Sequence, residues 1–129
     1  MFDNFRLIQK ALVKKEGMYL VIKRSDYTSH DPFKWDLPGG QIAFGENLAN
    51  ALEREVKEET SLEVKIDKPL LTNSFMWKSM YVIGIIYNCS YVSGSVSTSH
   101  EHTEYKWVGK SDLLALDTVD WIKESLISL

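Results

Sequence analysis

Three glutamates lie close together near the middle of the chain. Glu55, Glu58 and Glu59 are spaced i, i+3 and i+4, so a helix over residues 47–60 places them on the face that begins with apolar Leu48 and Leu52. Like charges at this spacing repel, and partial burial beside apolar side chains raises the cost. The pattern therefore predicts a bound multivalent cation, and the oxygen ligands favour Mg²⁺, with Mn²⁺ as a substitute. A solvated, acidic helix end is the competing interpretation of these glutamates taken alone.

A longer motif surrounds the glutamates. Residues 40–62 read GQIAFGENLANALEREVKEETSL, which resembles the 23-residue signature of the Nudix hydrolases: Gly, five residues, Glu, seven residues, Arg-Glu, an aliphatic residue, any residue, Glu-Glu, any residue, Gly and an aliphatic residue. The matching residues are Gly40, Glu46, Arg54, Glu55, Val56, Glu58, Glu59 and Leu62. The preceding WDLPG, residues 35–39, is similar to the usual lead-in of that signature.

One residue departs from the signature. Ser61 stands where the family has glycine, just after the predicted helix. A glycine there normally ends the helix in the left-handed conformation, so a serine is expected to cost about 1 kcal/mol if φ stays positive. We expect this to affect stability more than activity.

The resemblance implies roles for the helix and the turn before it. Glu55, Glu58 and Glu59 would be metal ligands, and the backbone carbonyl of Gly39 a further one. Gly39 and Gly40 would let the backbone approach the substrate closely, because a Cβ would hinder it.

Further residues are assigned supporting roles by the same resemblance. Arg54 would orient a catalytic glutamate, and Glu46 would make a structural ion pair or a hydrogen bond to the first turn. Glu101 is similar to the extra metal-binding or base glutamate of some members, and Glu104 is a second downstream candidate. The general base, a helix glutamate or a downstream one, is left open.

Aromatic residues are the candidates for contact with a base or sugar. Phe33 and Trp35 precede the glycine turn and are predicted to contact the substrate. Trp121, at the start of the last predicted helix, is assigned to the core.

The remaining elements predict one α/β (α+β) domain over residues 1–129. Predicted strands cover residues 5–14, 18–23, 64–71, 74–77, 80–91 and 104–108; predicted helices cover 47–60, 112–116 (capped by Ser111) and 118–128 (capped by Asp117). A loop is predicted over residues 25–36. Strands followed by packed helices indicate a mixed β-sheet in a layered domain, and the resemblance implies a Nudix-like α/β/α sandwich with a loop–helix–loop catalytic motif.

Composition limits the partners and the compartment. A net charge of −3 argues against binding polymeric nucleic acid, which needs a basic surface. We expect no membrane segment, because no apolar run is long enough to cross a bilayer. The single cysteine, Cys89, excludes an internal disulfide and favours a reducing, cytoplasmic location. The sequence leaves open a monomer or a homodimer.

The resemblance implies Mg²⁺-dependent hydrolysis of a diphosphate linkage in a small nucleotide-like substrate. Neither the proline that marks ADP-ribose hydrolases nor a well-placed tyrosine of dinucleoside polyphosphate hydrolases is found, although Tyr81 is roughly in place. By elimination we favour a nucleoside triphosphate or a nucleotide sugar. The alternatives are a dinucleoside polyphosphate, ADP-ribose or a coenzyme diphosphate as substrate, or a non-catalytic nucleotide-binding module.

Overall fold

The computed structural model describes residues 4–25 and 31–129. Its elements in chain order are β1 (Phe5–Lys15), β2 (Met18–Arg24), β3 (Trp35–Asp36), β4 (Gly39–Gln41), α1 (Leu48–Thr60), β5 (Glu63–Trp77), β6 (Met80–Ser93), β7 (His102–Val108), α2 (Lys110–Ala115) and α3 (Asp120–Leu126). This mixture of strands and helices confirms the predicted fold class. Within the predicted loop over residues 25–36, residues 26–30 lie outside the described part, and β3 forms the loop's end.

The strands form one mixed sheet. Its path runs β3-β2-β1-β6-β5, with β4 paired to β1 and β7 paired to β2. β1 and β6 are parallel, and the other pairs are antiparallel. β1 changes neighbours along its length, because residues 8–10 pair with β4 and residues 14–15 pair with β2. This register places Gly39 directly opposite Lys10.

Alternate residues of the central strands supply two hydrophobic cores, one on each face of the sheet. Leu12 belongs to the core that contains Ile122 of α3. Its neighbour Val13 belongs to the other core, together with Leu52 and Val56 of α1. Successive side chains of a strand point to opposite faces, so the sheet lies between α1 on one side and the C-terminal helices on the other.

Helix α1 has well-defined ends. The side chain of Asn47 accepts a hydrogen bond from the backbone N–H of Asn50 at 3.0 Å, which is the usual arrangement of a helix N-cap. The helix ends at Ser61, which has φ 66° and donates its N–H to the carbonyl of Lys57. Ser61 thus has the positive φ under which a cost of about 1 kcal/mol was predicted.

β5 is one strand, so the prediction of two separate strands was wrong. Register shifts between Ile66 and Lys68 and between Pro69 and Leu71 accommodate Pro69 within the strand. β5 lies at the end of the sheet path. A proline is tolerated on such an edge, where its missing N–H leaves no ladder bond unmade.

The starts predicted for the last two helices were also wrong. α2 begins after Gly109 rather than Ser111, and α3 begins after Val119. Asp117 does not cap α3; its backbone carbonyl instead accepts the N–H of Trp35 at 2.9 Å, which attaches this loop to β3. In the ranges that the structure describes, no helix combines the length and the apolar character required to cross a membrane.

Candidate active site

A cleft of about 420 Å³ lies between strand β4, helix α1 and the neighbouring strands. Gly39 and Gly40, which were predicted to form a turn, instead belong to β4, because they pair with Lys10 and Gln9 of β1. Its charged and polar lining residues are Lys10, Arg24, Asp36, Gln41, Glu55, Glu59, Glu101 and His102, and Ile8, Gly39, Gly40 and Trp121 complete it. The fold therefore brings together five of the residues predicted from the sequence: Gly39, Gly40, Glu55, Glu59 and Glu101.

Glu59 reaches from α1 to Gly39 of β4. Its Oε1 accepts the backbone N–H of Gly39 at 2.9 Å. Removal from water raises the pKa of Glu59 from 4.5 to about 7, although the ammonium of Lys10 and the hydrogen bond from Gly39 act in the opposite direction. Near neutral pH this carboxyl group is therefore partly protonated, and a bound cation would have to displace the proton.

Gly39 and Gly40 lie where a larger side chain would contact β1 or a carboxylate of the cleft. Gly39 has φ 140°, and a Cβ there would lie 2.1 Å from the carbonyl oxygen of Gln9. A Cβ on Gly40 would lie 3.1 Å from Oε2 of Glu55. Burial also raises the pKa of Glu55, against the opposing effect of Arg54. A side chain at Gly39 would thus disturb the pairing of β4 with β1, and a side chain at Gly40 would displace the Glu55 carboxylate.

Arg54 forms ion pairs with three glutamates of helix α1 and of the loop before it. Its guanidinium lies 3.0 Å from Glu46, 3.1 Å from Glu58 and 3.5 Å from Glu55. Glu46 also accepts the backbone N–H of Ala43 at 2.7 Å, so it joins the loop to the helix.

Glu58 does not face the cleft, so the expectation that all three glutamates point inward was wrong. Its side chain is 57% exposed and lies against Arg54. Residues i and i+4 are separated by about 40° around a helix, whereas i+3 and i+4 are separated by about 100°. Glu55 and Glu59 therefore share the cleft, and Glu58 turns away from it.

A buried ion cluster lies beside the carboxylates, and the sequence analysis missed it. Asp36 is 1% exposed, and its Oδ2 accepts hydrogen bonds from Lys10 at 3.1 Å and Arg24 at 2.9 Å. Burial alone would raise the pKa of Asp36, but the two cations outweigh it and hold the pKa below its ordinary value. The available signal was Lys10, a charge within the apolar stretch that forms β1.

His102 is a second lining residue that the sequence analysis did not identify. It is 6% exposed and stands opposite Arg24 across the β2–β7 ladder. Burial lowers the pKa of His102, so its ring is neutral at neutral pH. Its Nδ1 has no hydrogen-bond partner among the described residues.

The two aromatic residues predicted to contact substrate do not line the cleft. Trp35 is 7% exposed and packs in the core beside α3, because its position on β3 faces inward. Phe33 is exposed in the preceding turn with φ 66°. Trp121, which was assigned to the core, belongs to that core and also lines the cleft. The downstream alternative Glu104 lies on the surface, 3.5 Å from Lys23.

The donor groups of the cleft suit a hard cation. Within residues 4–25 and 31–129, no three His, Cys, Asp or Glu side chains already converge closely enough to hold a metal ion. Glu59 is turned to the Gly39 N–H and Glu58 to Arg54. However, the cleft holds four carboxylates against two cationic side chains, and its other candidate donor is the carbonyl of Gly39. Oxygen donors with excess negative charge favour a divalent cation such as Mg²⁺.

Comparisons with known proteins identify the family and the fold of the chain. The profile of the NUDIX domain matches residues 10–129. The nucleoside triphosphatase NudI of Escherichia coli O139:H28 is 29% identical over 128 residues, and the match covers 87% of each chain. The crystal structure of a MutT protein from Methanosarcina mazei Go1 is 28% identical, with a TM-score of 0.89 over 99% of this chain and 94% of that one. A MutT NUDIX hydrolase from Burkholderia pseudomallei shares the fold at 20% identity, with a TM-score of 0.81 over 98% of this chain and 99% of that chain.

Proposed function

Because the chain belongs to the NUDIX hydrolase family, we propose that it hydrolyses a diphosphate linkage in a nucleoside triphosphate or a nucleotide sugar in the presence of Mg²⁺. The observation that carries the proposal is that Glu55 and Glu59 line one cleft together with Gly39 and Gly40 of β4. Mn²⁺ is expected to replace Mg²⁺, because it prefers similar oxygen ligands.

The proposed metal ligands are the carboxylates of Glu55 and Glu59, the carbonyl of Gly39 and, from the β7 side of the cleft, Glu101. Glu58 stays a predicted ligand that must leave Arg54 to reach the cleft, since the two form hydrogen bonds of 3.1 and 3.2 Å. A bound Mg²⁺ would offset charge on the diphosphate oxygens and acidify water.

The protein's own groups then position the reactants. The general base is proposed to be a glutamate of the cleft, either Glu55, which unlike Glu59 is not hydrogen-bonded to the Gly39 N–H, or Glu101. Arg54 holds Glu55 in place from the outer side of the helix. Gly39 and Gly40 allow the substrate to approach the backbone.

The substrate class is proposed from the relatives and the shape of the site. NudI is named a nucleoside triphosphatase, which favours a triphosphate for this chain as well. An apolar cavity of about 160 Å³ adjoins the cleft and shares Ile8, Gln41 and Trp121 with it, so a base bound there would place its phosphates in the cleft. We propose that the chain acts as one domain, and the cytoplasmic location stays a prediction.

A substrate panel tests the proposed function. Nucleoside triphosphates, nucleotide sugars, dinucleoside polyphosphates, ADP-ribose and a coenzyme diphosphate are incubated with Mg²⁺, and the products are separated. We expect pyrophosphate from a triphosphate or two monophosphates from a nucleotide sugar. Glu55→Gln and Glu59→Gln should lose at least about a hundredfold in turnover, while Glu53→Gln, an exposed position of the same helix, should retain it.

Two outcomes would contradict this assignment. Nucleotide binding without turnover of any panel member would indicate the non-catalytic alternative. Near wild-type turnover in both Glu55→Gln and Glu59→Gln would show that the carboxylates of this cleft do not take part in the hydrolysis. Glu58→Gln decides separately whether Glu58 joins the ligands, because a purely surface role at its position predicts retained turnover.

A further inference from the structure

Lys10 is a buried cation in the wall of the cleft. It lies on β1 between the apolar residues of both cores, and only 9% of its side chain is exposed. Its Nζ lies 3.1 Å from Oδ2 of Asp36 and 3.5 Å from the carbonyl oxygen of Gly39. A buried ammonium needs such partners, because losing its hydration is expensive.

Lys10 shares its carboxylate partner, Asp36, with a second cation. Arg24 already lies 2.9 Å from the same oxygen of Asp36, so one carboxylate faces two cations. The Lys10 ammonium also lines the cleft that Glu55 and Glu59 line, and it contacts the Gly39 carbonyl on the same side as them. Lys10 therefore acts on the glutamates as well as on Asp36.

Gly39 connects this ammonium to the carboxylates. Its N–H donates to Glu59, while its carbonyl accepts the long bond from Lys10. The carbonyl is also a ligand in the metal site proposed above. A bond of 3.5 Å is weak, so a divalent ion can take over this oxygen at little cost.

We propose that Lys10 is a positioning residue that serves as the built-in counter-cation of the cleft. It contacts the Gly39 carbonyl and partly neutralises the glutamates when no divalent ion is bound, and its charge opposes the ion when one binds. This inference rests on the proposed function. Two consequences follow. Lys10 weakens the binding of a divalent ion, and it reduces the repulsion between the carboxylates in the folded, metal-free protein.

Manganese affinity tests the inference without any turnover. Mn²⁺ is titrated into substrate-free protein at about pH 8, and the free ion is measured by electron paramagnetic resonance. Lys10→Met should bind Mn²⁺ at least about tenfold more tightly than the wild type, because a nearby positive charge has been removed. The matched control is Lys14→Met, an exposed lysine on the same strand, which should bind as the wild type does.

A measurement on the wild type covers the case in which Lys10→Met fails to fold. The ¹⁵N resonance of the Lys10 ammonium should shift when Mg²⁺ is added, and that of Lys14 should not. Unchanged or weaker Mn²⁺ affinity in folded Lys10→Met, or an unmoved Lys10 resonance, would overturn the inference and leave the proposed function standing. A wild type that neither binds Mn²⁺ nor hydrolyses any substrate would overturn both.

Discussion

Replacing Glu59 with glutamine should make the metal-free protein more stable at alkaline pH while removing its activity. The folded protein holds the Glu59 carboxyl group away from water, which raises its pKa from 4.5 to about 7. Between these values the folded state binds more protons than the unfolded state, so this group's contribution to stability is lost as the pH rises through about 7. Glutamine has no such proton, and its carbonyl can still accept the Gly39 N–H.

The size of the effect follows from the two pKa values. A separation from 4.5 to about 7 corresponds to roughly 3 kcal/mol, at about 1.4 kcal/mol for each pH unit. Most of this loss of stability in the wild type occurs as the pH rises from about 5 to about 8. Allowing for residual water in the cleft, we expect the stability difference between Glu59→Gln and the wild type to grow by about 2 kcal/mol over this range.

Urea unfolding in the presence of a chelator measures this difference, with the fluorescence of the chain's four tryptophans as the signal. Both proteins are unfolded at several pH values between about 5 and 8. Glu53→Gln serves as the control, because Glu53 is exposed on the same helix and its replacement should leave the pH dependence of the wild type unchanged. A stability difference for Glu59→Gln that stays constant across this range would refute the assigned desolvation of Glu59.

Three further predictions concern the framework of the site. Ser61→Gly should raise the free energy of unfolding by about 1 kcal/mol, because Ser61 has φ 66°; an unchanged or lower urea midpoint would contradict this. Gly84→Ala should destabilise the protein by at least about 2 kcal/mol, because the new Cβ would lie 2.4 Å from the ring of Trp121. Gly109→Ala is its control, since a Cβ there meets nothing within 4 Å, and equal melting temperatures for the two variants would count against the packing described. Asp36→Asn should cost about 3–5 kcal/mol, because it removes the buried anion that Lys10 and Arg24 both contact; a change below about 1 kcal/mol in urea unfolding would show that the cluster is hydrated.

The sequence predicted the parts of the site that are local in the chain. Helix α1 and its glutamates follow from a period of 3.6 residues, and the two glycines belong to the same motif, one short loop before the helix. The same period could not predict whether the Glu58 side chain points into the cleft or into solvent. Its orientation depends on the ion pair with Arg54 and on how wide the buried face of α1 is. Local pattern therefore gave the position of these residues more reliably than the direction of their side chains.

The remaining lining residues come from strands that are distant in the chain. Lys10 lies on β1, Arg24 on β2 and His102 on β7, and only the pairing of these strands brings them to the cleft. The two tryptophans show a similar limit. Trp35 and Trp121 pack in the same core, and which of them reaches the cleft depends on the placement of β3 and α3. No periodicity within either segment contains that information.

The parallel pairing of β1 with β6 has a consequence for how the signature can be used. Ten residue pairs, from Phe5–Tyr81 to Lys14–Ser90, join two segments separated by more than half of the chain. A fragment that stops after the helix would contain the whole signature and yet leave the first strand without its main partner. Helix α1 is consequently not expected to form the site when the signature is inserted alone into another protein. The cleft can be completed only after β6, in the second half of the polypeptide, has been synthesised.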